Sequence, residues 1–380
     1  MDLQELNEQI TAIDDELAAL FAKRMALSAD VAREKAANGI ITPDVALERA
    51  GRIRFRENAG GALEGYAGVL YSTLTDVSRS YQAAVTTGEN PVAARMAAAI
   101  EHTPKLFPEK AAVVCQGVEG AYSQIAAELL FSEAELQFVS SFESVFAAID
   151  RGDARYGVLP LENSTAGSVN KIYDLMMEYN FSIVRSARIK IDHCLLARPG
   201  ATIDGIREIY SHEQAISQCA GFLQSLPNVR VTACANTAMA AQLVAESGRT
   251  DAAALSSHSC AELYGLKTLR NSVQDKGNNH TRFICIGREL EIYPGADRTS
   301  IMLTTPHRPG SLYRIMARIT ALGVNLTKLE SRPLPDRDFE FMFYFDLDAP
   351  VYAPKLHQLM ADLDNLCETF RYLGSYSEIV

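Results

Sequence analysis

Positive charge is scarce in this chain. Its 36 lysines and arginines stand against 47 aspartates and glutamates, a formal net charge of −11 and a pI near 5.2. Nucleic-acid and anionic-membrane binders carry clustered positive charge, so both classes are excluded, and an anionic ligand has to be met by individual arginines and lysines. CxxC pairs are absent. The seven cysteines, at 115, 194, 219, 234, 260, 285 and 367, are odd in number and widely spaced. They argue against a zinc or dithiol site and for reduced core residues in a cytoplasmic protein. No stretch approaches about 20 uninterrupted apolar residues and the charged N-terminal segment lacks an apolar signal core, so neither a membrane span nor export is expected. No full GxGxxG follows Gly117 and Gly120, so a dinucleotide fingerprint is missing too. What is present is 380 residues with 48% hydrophobic content, enough to bury the cores of two or three globular domains.

The first segment is helical by pattern. Leu3, Leu6, Ile10, Ile13, Leu17 and Leu20 recur at three- and four-residue steps, one face of a long helix or coiled coil. The next step lands on Arg24 before the stripe resumes at Leu27 and Val31. A guanidinium among apolar knobs needs a carboxylate, an anionic ligand or a route to the surface. Gly39 ends this helix, Pro43 opens a second, and 63–85 forms a third. The first helix is too long for the other two to cover, which predicts an interlocked dimer.

Residues 86–108, with Gly88, Pro91, Pro104 and Pro108 around an Ala-rich helix, read as a linker. Short apolar runs then alternate with helices: 111–115, a helix over 123–130, a strand at 138–139, a helix over 142–151. That alternation predicts an open α/β sheet whose ligands bind at the carboxyl ends of strands. Polar loops belong there: 117–123, Glu162-Asn163-Ser164-Thr165, Ser211-His212-Glu213-Gln214, Asn236-Thr237 and Ser256-Ser257-His258. Any one of them is equally a helix cap. Asn278-Asn279-His280-Thr281-Arg282-Phe283 sets a hydroxyl between an imidazole and a guanidinium at the mouth of an apolar strand, 283–286, and with 156–169 it reads as one cleft.

The first segment resembles the all-helical chorismate mutases over about 85 residues. In that family a pericyclic rearrangement needs only a clamp on a dicarboxylate and donors at the breaking ether bond. The resemblance implies that Arg24, Lys35, Asp44, Glu48, Ser78 and Gln82 bind chorismate, with Lys35 and Gln82 at the ether oxygen. Two family arginines are replaced, by Asn7 and Leu47. Each lost charge-assisted hydrogen bond costs roughly 1.5 to 3 kcal/mol, about 10- to 150-fold in rate. The domain is therefore either a weakened mutase, helped by Arg49, Arg52 or Arg54, or a dimerisation relic.

Residues 111–288 are similar to prephenate dehydratase, on Gly120-Ala121-Tyr122-Ser123, Leu159-Pro160-Leu161-Glu162-Asn163-Ser164, Ser211-His212, Gln214, Gln218-Cys219 and Thr281-Arg282-Phe283. The resemblance implies two α/β lobes, similar to type II periplasmic binding proteins, at 111–188 plus 255–287 and at 189–254. It also implies the loss of carbon dioxide and water from prephenate to give phenylpyruvate. The enzyme must help hydroxide leave, which calls for a donor at the ring hydroxyl and clamps on two carboxylates, without metal or redox cofactor. Thr281 is assigned to the leaving hydroxyl, Asn163 and Gln218 are further contacts, and Phe283 completes the motif. Arg282 is either a carboxylate clamp or paired within the protein. Glu162 and His280 are the titratable groups beside Thr281.

The last segment reads βαββαβ, the ferredoxin-like order: strands at 299–304, 325–331, 339–347 and 368–373, helices over 311–322 and 353–366. It resembles the ACT regulatory domain of the phenylalanine-sensing kind, on Pro309-Gly310-Ser311-Leu312, with Ser311 where alanine is usual, and Glu330-Ser331-Arg332-Pro333. The resemblance implies L-phenylalanine binding by Gly310, Ser311, Leu312, Asn325, Leu326, Glu330, Ser331 and Arg332, where Gly310 and a helix N-terminus admit the effector's carboxylate.

The expected organisation is a helical domain at 1–88, a linker at 89–110, a dehydratase at 111–288 and a regulatory domain at 297–376. The chain is expected to be a cytoplasmic homodimer or homotetramer taking prephenate, chorismate and L-phenylalanine. Rival readings are an arogenate dehydratase and a non-catalytic amino-acid sensor.

Overall fold

A computed structural model of the chain describes residues 2–40, 44–86, 90–335, 337 and 340–380; Pro43, Gly88 and Phe339, used above to mark elements, lie outside them. The chain divides into two compact units, one of residues 1–96, 304–324 and 354–370, the other of 97–303, 325–353 and 371–380. Among the described residues no helix is long and apolar enough to cross a membrane.

Helix α1 (Leu3–Ala37) opens on a capping box, Asp2 accepting from the Glu5 amide while the Glu5 carboxylate accepts from the Asp2 amide. It ends where the glycine demands, with Gly39 at φ 66°. Asp44 caps α2 (Val45–Ala59), and α3 (Glu64–Thr86) packs along both α1 and α2. Only Ser28, Ala29 and Ala32 of α1 are buried. The stripe from Leu3 to Leu20 stays between 41% and 74% exposed, and Leu27 and Val31 are exposed as well, so among the described residues this apolar face is largely uncovered.

After α4 (Pro91–His102) comes the first α/β lobe: β1 (Lys110–Gln116), α5 (Tyr122–Leu130), β2 (Glu133–Val139), α6 (Phe142–Arg151), β3 (Tyr156–Asn163), β4 (Gly167–Ser168), α7 (Asn170–Glu178) and β5 (Ser182–Lys190). The second lobe follows as β6 (Cys194–Ala197), β7 (Glu208–Ser211), α8 (Glu213–Gln218), α9 (Ala220–Gln224), β8 (Arg230–Ala233), α10 (Thr237–Glu246), β9 (Ala252–Ser256), α11 (Ser259–Leu263) and β10 (Lys267–Arg270). The chain then returns to the first lobe as β11 (His280–Gly287). The return falls later than expected. β9 pairs with both β6 and β7, and β10 with β6, so residues 255–270 belong to the second lobe.

The last segment keeps the βαββαβ order: β12 (Arg298–Thr304), α12 (Ser311–Ala321), β13 (Asn325–Pro333), β14 (Phe341–Asp348), α13 (Pro354–Leu366) and β15 (Thr369–Tyr376), closed by β16 (Glu378–Ile379). Three sheets result, ordered β16-β5-β11-β3-β1-β2 with β4 beside β3, β10-β6-β9-β7-β8, and β13-β14-β12-β15. In the first unit α3 meets α12 and α13: Ser80 donates to buried Asp362 at 2.7 Å, Arg318 pairs with Asp362 at 3.1 Å and Arg314 with Asp76 at 3.3 Å.

Placement of the site depends on one pairing. β11 runs antiparallel to β3 with Thr281 opposite Asn163 and Arg282 opposite Glu162. The register steps next to Pro160, where β3 passes two residues against one of β11. Proline has no N–H for the ladder, so a bulge is the tolerated solution in a central strand. Side chains alternate across a strand, so Thr281 and Asn163 project to one face and Arg282 and Glu162 to the other.

Candidate active site

Asn163 ends β3 by turning the chain on itself. Its Oδ1 accepts from the backbone N–H groups of Thr165 (3.0 Å) and Ala166 (2.9 Å) and from the Thr165 hydroxyl (2.7 Å), the turn that short amide side chains favour. Backbone N–H groups only donate, so this oxygen is identified and the amide nitrogen must donate. It does so to Thr281 Oγ1 and Asn279 Oδ1, both at 2.8 Å. Asn279 Nδ2 then donates to Gln218 Oε1 (2.9 Å), and Gln218 Nε2 donates to Thr165 Oγ1 (3.1 Å). The ring thus closes between the lobes.

The Thr281 hydroxyl therefore accepts within the ring, and among the described residues no acceptor takes its hydrogen. Thr281 is 8% exposed, Asn163 7% and Asn279 1%. In such a poorly solvated setting a preoriented donor is worth more than in water. Asn278 and His280 join the two loops: the His280 amide donates to Ser164 Oγ (3.0 Å), and that hydroxyl donates to the Asn278 carbonyl (3.1 Å). Gly120 brings the 117–121 loop against the second lobe. Its φ is +88°, and a Cβ there would stand 2.8 Å from Cys260 Sγ, so only glycine fits the approach.

Four expectations change. Arg282 lies across the strand from the Thr281 ring, 6% exposed, pairing with Asp346 and, at 3.0 Å, with Glu162. It takes the within-protein alternative, not a carboxylate clamp. Glu162 is also held by Lys328 Nζ at 2.8 Å. Burial pushes its carboxyl up, but Arg282 and Lys328 outweigh that and hold it below its ordinary value, so it stays ionised and is no proton donor for Thr281. Phe283, 3% exposed, is packed in the core with Val158 and Cys285. The His280 ring nitrogen contacts the Asn278 carbonyl at 3.2 Å and not Thr281. Two of the expected loop residues are caps: His212 opens α8 and Asn236 opens α10.

Three residues of the ring were not singled out: Thr165, Asn279 and His193, whose Nε2 lies 3.1 Å from Gln218 Oε1. Thr165 and Asn279 stand inside the two polar stretches that were read as one cleft. His193 carried no signal, being a lone histidine where the chain crosses between lobes. Among the described residues no three His, Cys, Asp or Glu side chains group as a metal site.

A family model described as prephenate dehydratase matches residues 113–291, and one described as chorismate mutase type II matches residues 6–83. Arogenate dehydratase/prephenate dehydratase 2, chloroplastic, of Arabidopsis thaliana is 37% identical over 276 residues, 70% of this chain and 72% of its own. The chain belongs to the prephenate dehydratase family. The bifunctional chorismate mutase/prephenate dehydratase of Escherichia coli K12 is 29% identical over 385 residues, 98% of this chain and 96% of its own. A solved prephenate dehydratase from Arthrobacter aurescens, in complex with L-Phe, superposes with a TM-score of 0.65 at 27% identity, over 70% of this chain and 90% of its own.

In the prephenate dehydratase fused here to a chorismate mutase domain, the mutase residues fall into two groups. Arg24 donates to the Leu74 carbonyl at 3.0 Å and to Ser78, which is 5% exposed, so the misplaced guanidinium of the apolar stripe is satisfied by α3. Glu48 is gripped by Arg79, whose Nε donates at 2.9 Å and whose second nitrogen also reaches the carboxylate. Asp44 caps α2 by accepting from the Leu47 amide at 2.9 Å. Lys35 lies in the last turn of α1, and Lys35 and Gln82 are half-buried. Leu47 is 69% exposed and Asn7 lies on the open face of α1.

Of the effector residues, Gly310 adopts φ 84° as the N-cap of α12, and Ser311 follows it, buried. Leu312 lies on α12. Along β13 exposure alternates, with Asn325 and Ser331 outward and Leu326, Glu330 and Arg332 half-buried. Glu330 accepts from Ser168 of β4, and Arg332 grips Asp174 of α7 with bonds of 2.7 and 2.9 Å.

Proposed function

We propose that the chain converts prephenate to phenylpyruvate, carbon dioxide and water, and that its first domain supplies prephenate from chorismate. The observation carrying the first step is the Thr281 hydroxyl, fixed as an acceptor by Asn163 with its hydrogen free. Directed at the ring hydroxyl of prephenate, that hydrogen stabilises the departing oxygen while carbon dioxide leaves and the ring aromatises. Gln218 and Asn279 hold the donor in place and offer further polar contacts. Phenylpyruvate formed by the purified chain from prephenate tests this directly. A sensor without catalysis has no use for a donor at a leaving hydroxyl, and binding without turnover is what that rival requires.

A second substrate, arogenate, is favoured by the 37% identity to a relative named for both activities. It loses the same water and carbon dioxide and differs only in carrying an amino group on the side chain. Comparison of kcat/KM for the two substrates decides between them.

For the mutase, Arg24 and Ser78 together on one side and Glu48 on the other support a site between α1, α2 and α3, with Lys35 and Gln82 at the ether oxygen. Phenylpyruvate from chorismate as well as from prephenate is the expected result, and phenylpyruvate from prephenate alone would make the first domain an assembly module. The exposed Leu3-to-Leu20 stripe supports a homodimer, or a tetramer built from it, in which a second copy covers α1. The βαββαβ segment and the L-Phe held by the Arthrobacter aurescens relative support an ACT-type regulatory domain inhibited by L-phenylalanine through Gly310, Ser311, Leu312 and the β13 residues 325, 326 and 330–332. Seven free cysteines, five of them buried, support a cytoplasmic setting.

A further inference from the structure

His193 stands where the chain passes from β5 of the first lobe to β6 of the second, 2% exposed. Its backbone is fastened on both sides, the amide donating to Gln274 Oε1 at 3.0 Å and the carbonyl accepting from Val273 at 2.8 Å. Tyr122 meets the ring edge-on with centroids 6.1 Å apart. Nε2 lies 3.1 Å from Gln218 Oε1, and Nδ1 is buried with no hydrogen-bond partner among the described residues.

The proton position follows from the ring of amides. The backbone donors at Thr165 and Ala166 identify Asn163 Oδ1, so Asn163 Nδ2 donates to Asn279, Asn279 donates to Gln218 Oε1, and Gln218 Nε2 donates to Thr165. Gln218 Oε1 is thus an acceptor, and whatever faces it must bring a hydrogen. The Nε2–H tautomer of His193 is the one that fits. Burial pulls the imidazole pKa below its ordinary 6.5, against the opposing pull of Gln218 and Asp192, which keeps the ring neutral and Nδ1 bare.

We propose that His193 is a positioning residue for the dehydration: its Nε2–H locks the Gln218 amide against Thr165 and Asn279, and through them holds the Asn163–Thr281 pair toward the substrate. The inference rests on the dehydratase reading above and names a residue that never touches prephenate itself. A histidine kept only to fill space beside Tyr122 would be replaceable by any ring of similar size. A histidine kept for its donor is replaceable only by a side chain that carries a hydrogen to the same point.

The test uses three variants of the full chain, assayed with prephenate. His193→Gln carries an amide nitrogen at about the reach of Nε2, His193→Asn is too short, and His193→Phe keeps a ring without a donor. His193→Gln is expected to stay within about threefold of the unmodified kcat, while His193→Asn and His193→Phe lose about tenfold or more in kcat with KM little changed. In a Gln218→Met background, His193→Phe is expected to add no further loss, since both act through one contact. Full kcat in His193→Phe or His193→Asn, or a loss in His193→Gln as large as in His193→Phe, overturns the role. Nitrogen NMR of the unmodified chain gives a readout independent of variant folding: the Nε2–H tautomer is expected, and the Nδ1–H tautomer overturns it. No phenylpyruvate from the unmodified chain would remove the dehydratase reading and this role with it. Phenylpyruvate from the unmodified chain together with an active His193→Asn would remove the role alone.

Discussion

At the scale of single residues, two neighbours on one strand do unrelated work. Thr281 and Arg282 are adjacent in sequence, yet strand geometry sends the hydroxyl to the amide ring and the guanidinium to a buried ion-pair group with Asp346 and Glu162. Glu162 shows the consequence in its titration. Its carboxyl is held below the ordinary value of 4.5, so its charged form is favoured by folding. That contribution is fully present above 4.5 and fades as the pH falls through the lowered value. Glu162→Gln is therefore expected to flatten the acid side of the melting-temperature profile below the ordinary carboxylate value of 4.5, measured by thermal melts on acidification. An acid limb as steep as in the unmodified chain would show that Glu162 does not govern it. Thr281 and Asn163 stood in polar clusters at predicted strand ends, but their roles, and Gln218 altogether, came from the resemblance to prephenate dehydratase. The roles of Arg282 and Glu162 were not legible, because the charges that neutralise them, Asp346 and Lys328, lie 64 and more than 160 residues away along the chain. His193 was invisible for a related reason: its partner Gln218 lies on another element, and no local pattern marks it.

At the scale of elements, period carried most of the reading. The alternation in 299–304 and 325–331 and the helix expected over 311–322 gave βαββαβ in the order the structure shows, and the strand–helix alternation from 111 to 151 gave the start of the first lobe. The late return from the second lobe escaped, since pairing of β9 with β6 and β7 is a non-local choice that residues 252–256 do not announce. Nor did the short β16 suggest itself, although it adds a parallel edge strand beside β5. Under the proposed regulation, strand β13 carries effector residues and contacts to the dehydratase lobe within one unit. Lys328, Glu330 and Arg332 face β3, β4 and α7 through Glu162, Ser168 and Asp174. Effector binding that shifts β13 therefore bears on the strand that ends in Asn163. Glu330→Ala is expected to raise the L-phenylalanine concentration for half-inhibition by about tenfold while leaving uninhibited turnover within about twofold, read from inhibition curves with prephenate. Unchanged inhibition would remove Glu330 from the effector response.

At the scale of the whole molecule, the proposed dimer rests on the first helix. A periodic apolar face from Leu3 to Leu20 is left 41% to 74% exposed, and contiguous exposed apolar faces mark interaction sites. Replacing Leu6 and Ile13 by glutamate is expected to convert the assembled chain to monomers in sedimentation velocity and to abolish chorismate consumption, leaving prephenate turnover in place. An assembly unchanged by these charges would place the interface elsewhere.

The proposed dehydration depends most directly on the hydrogen of Thr281. The most direct measurement is phenylpyruvate formation from prephenate by the purified chain beside its Thr281→Val variant, which keeps the shape of the side chain and removes the donor. The account predicts turnover by the unmodified chain and a loss of roughly 100- to 1,000-fold in kcat for the variant, with the prephenate KM little changed. A Thr281→Val enzyme turning over prephenate at nearly the unmodified rate would contradict it.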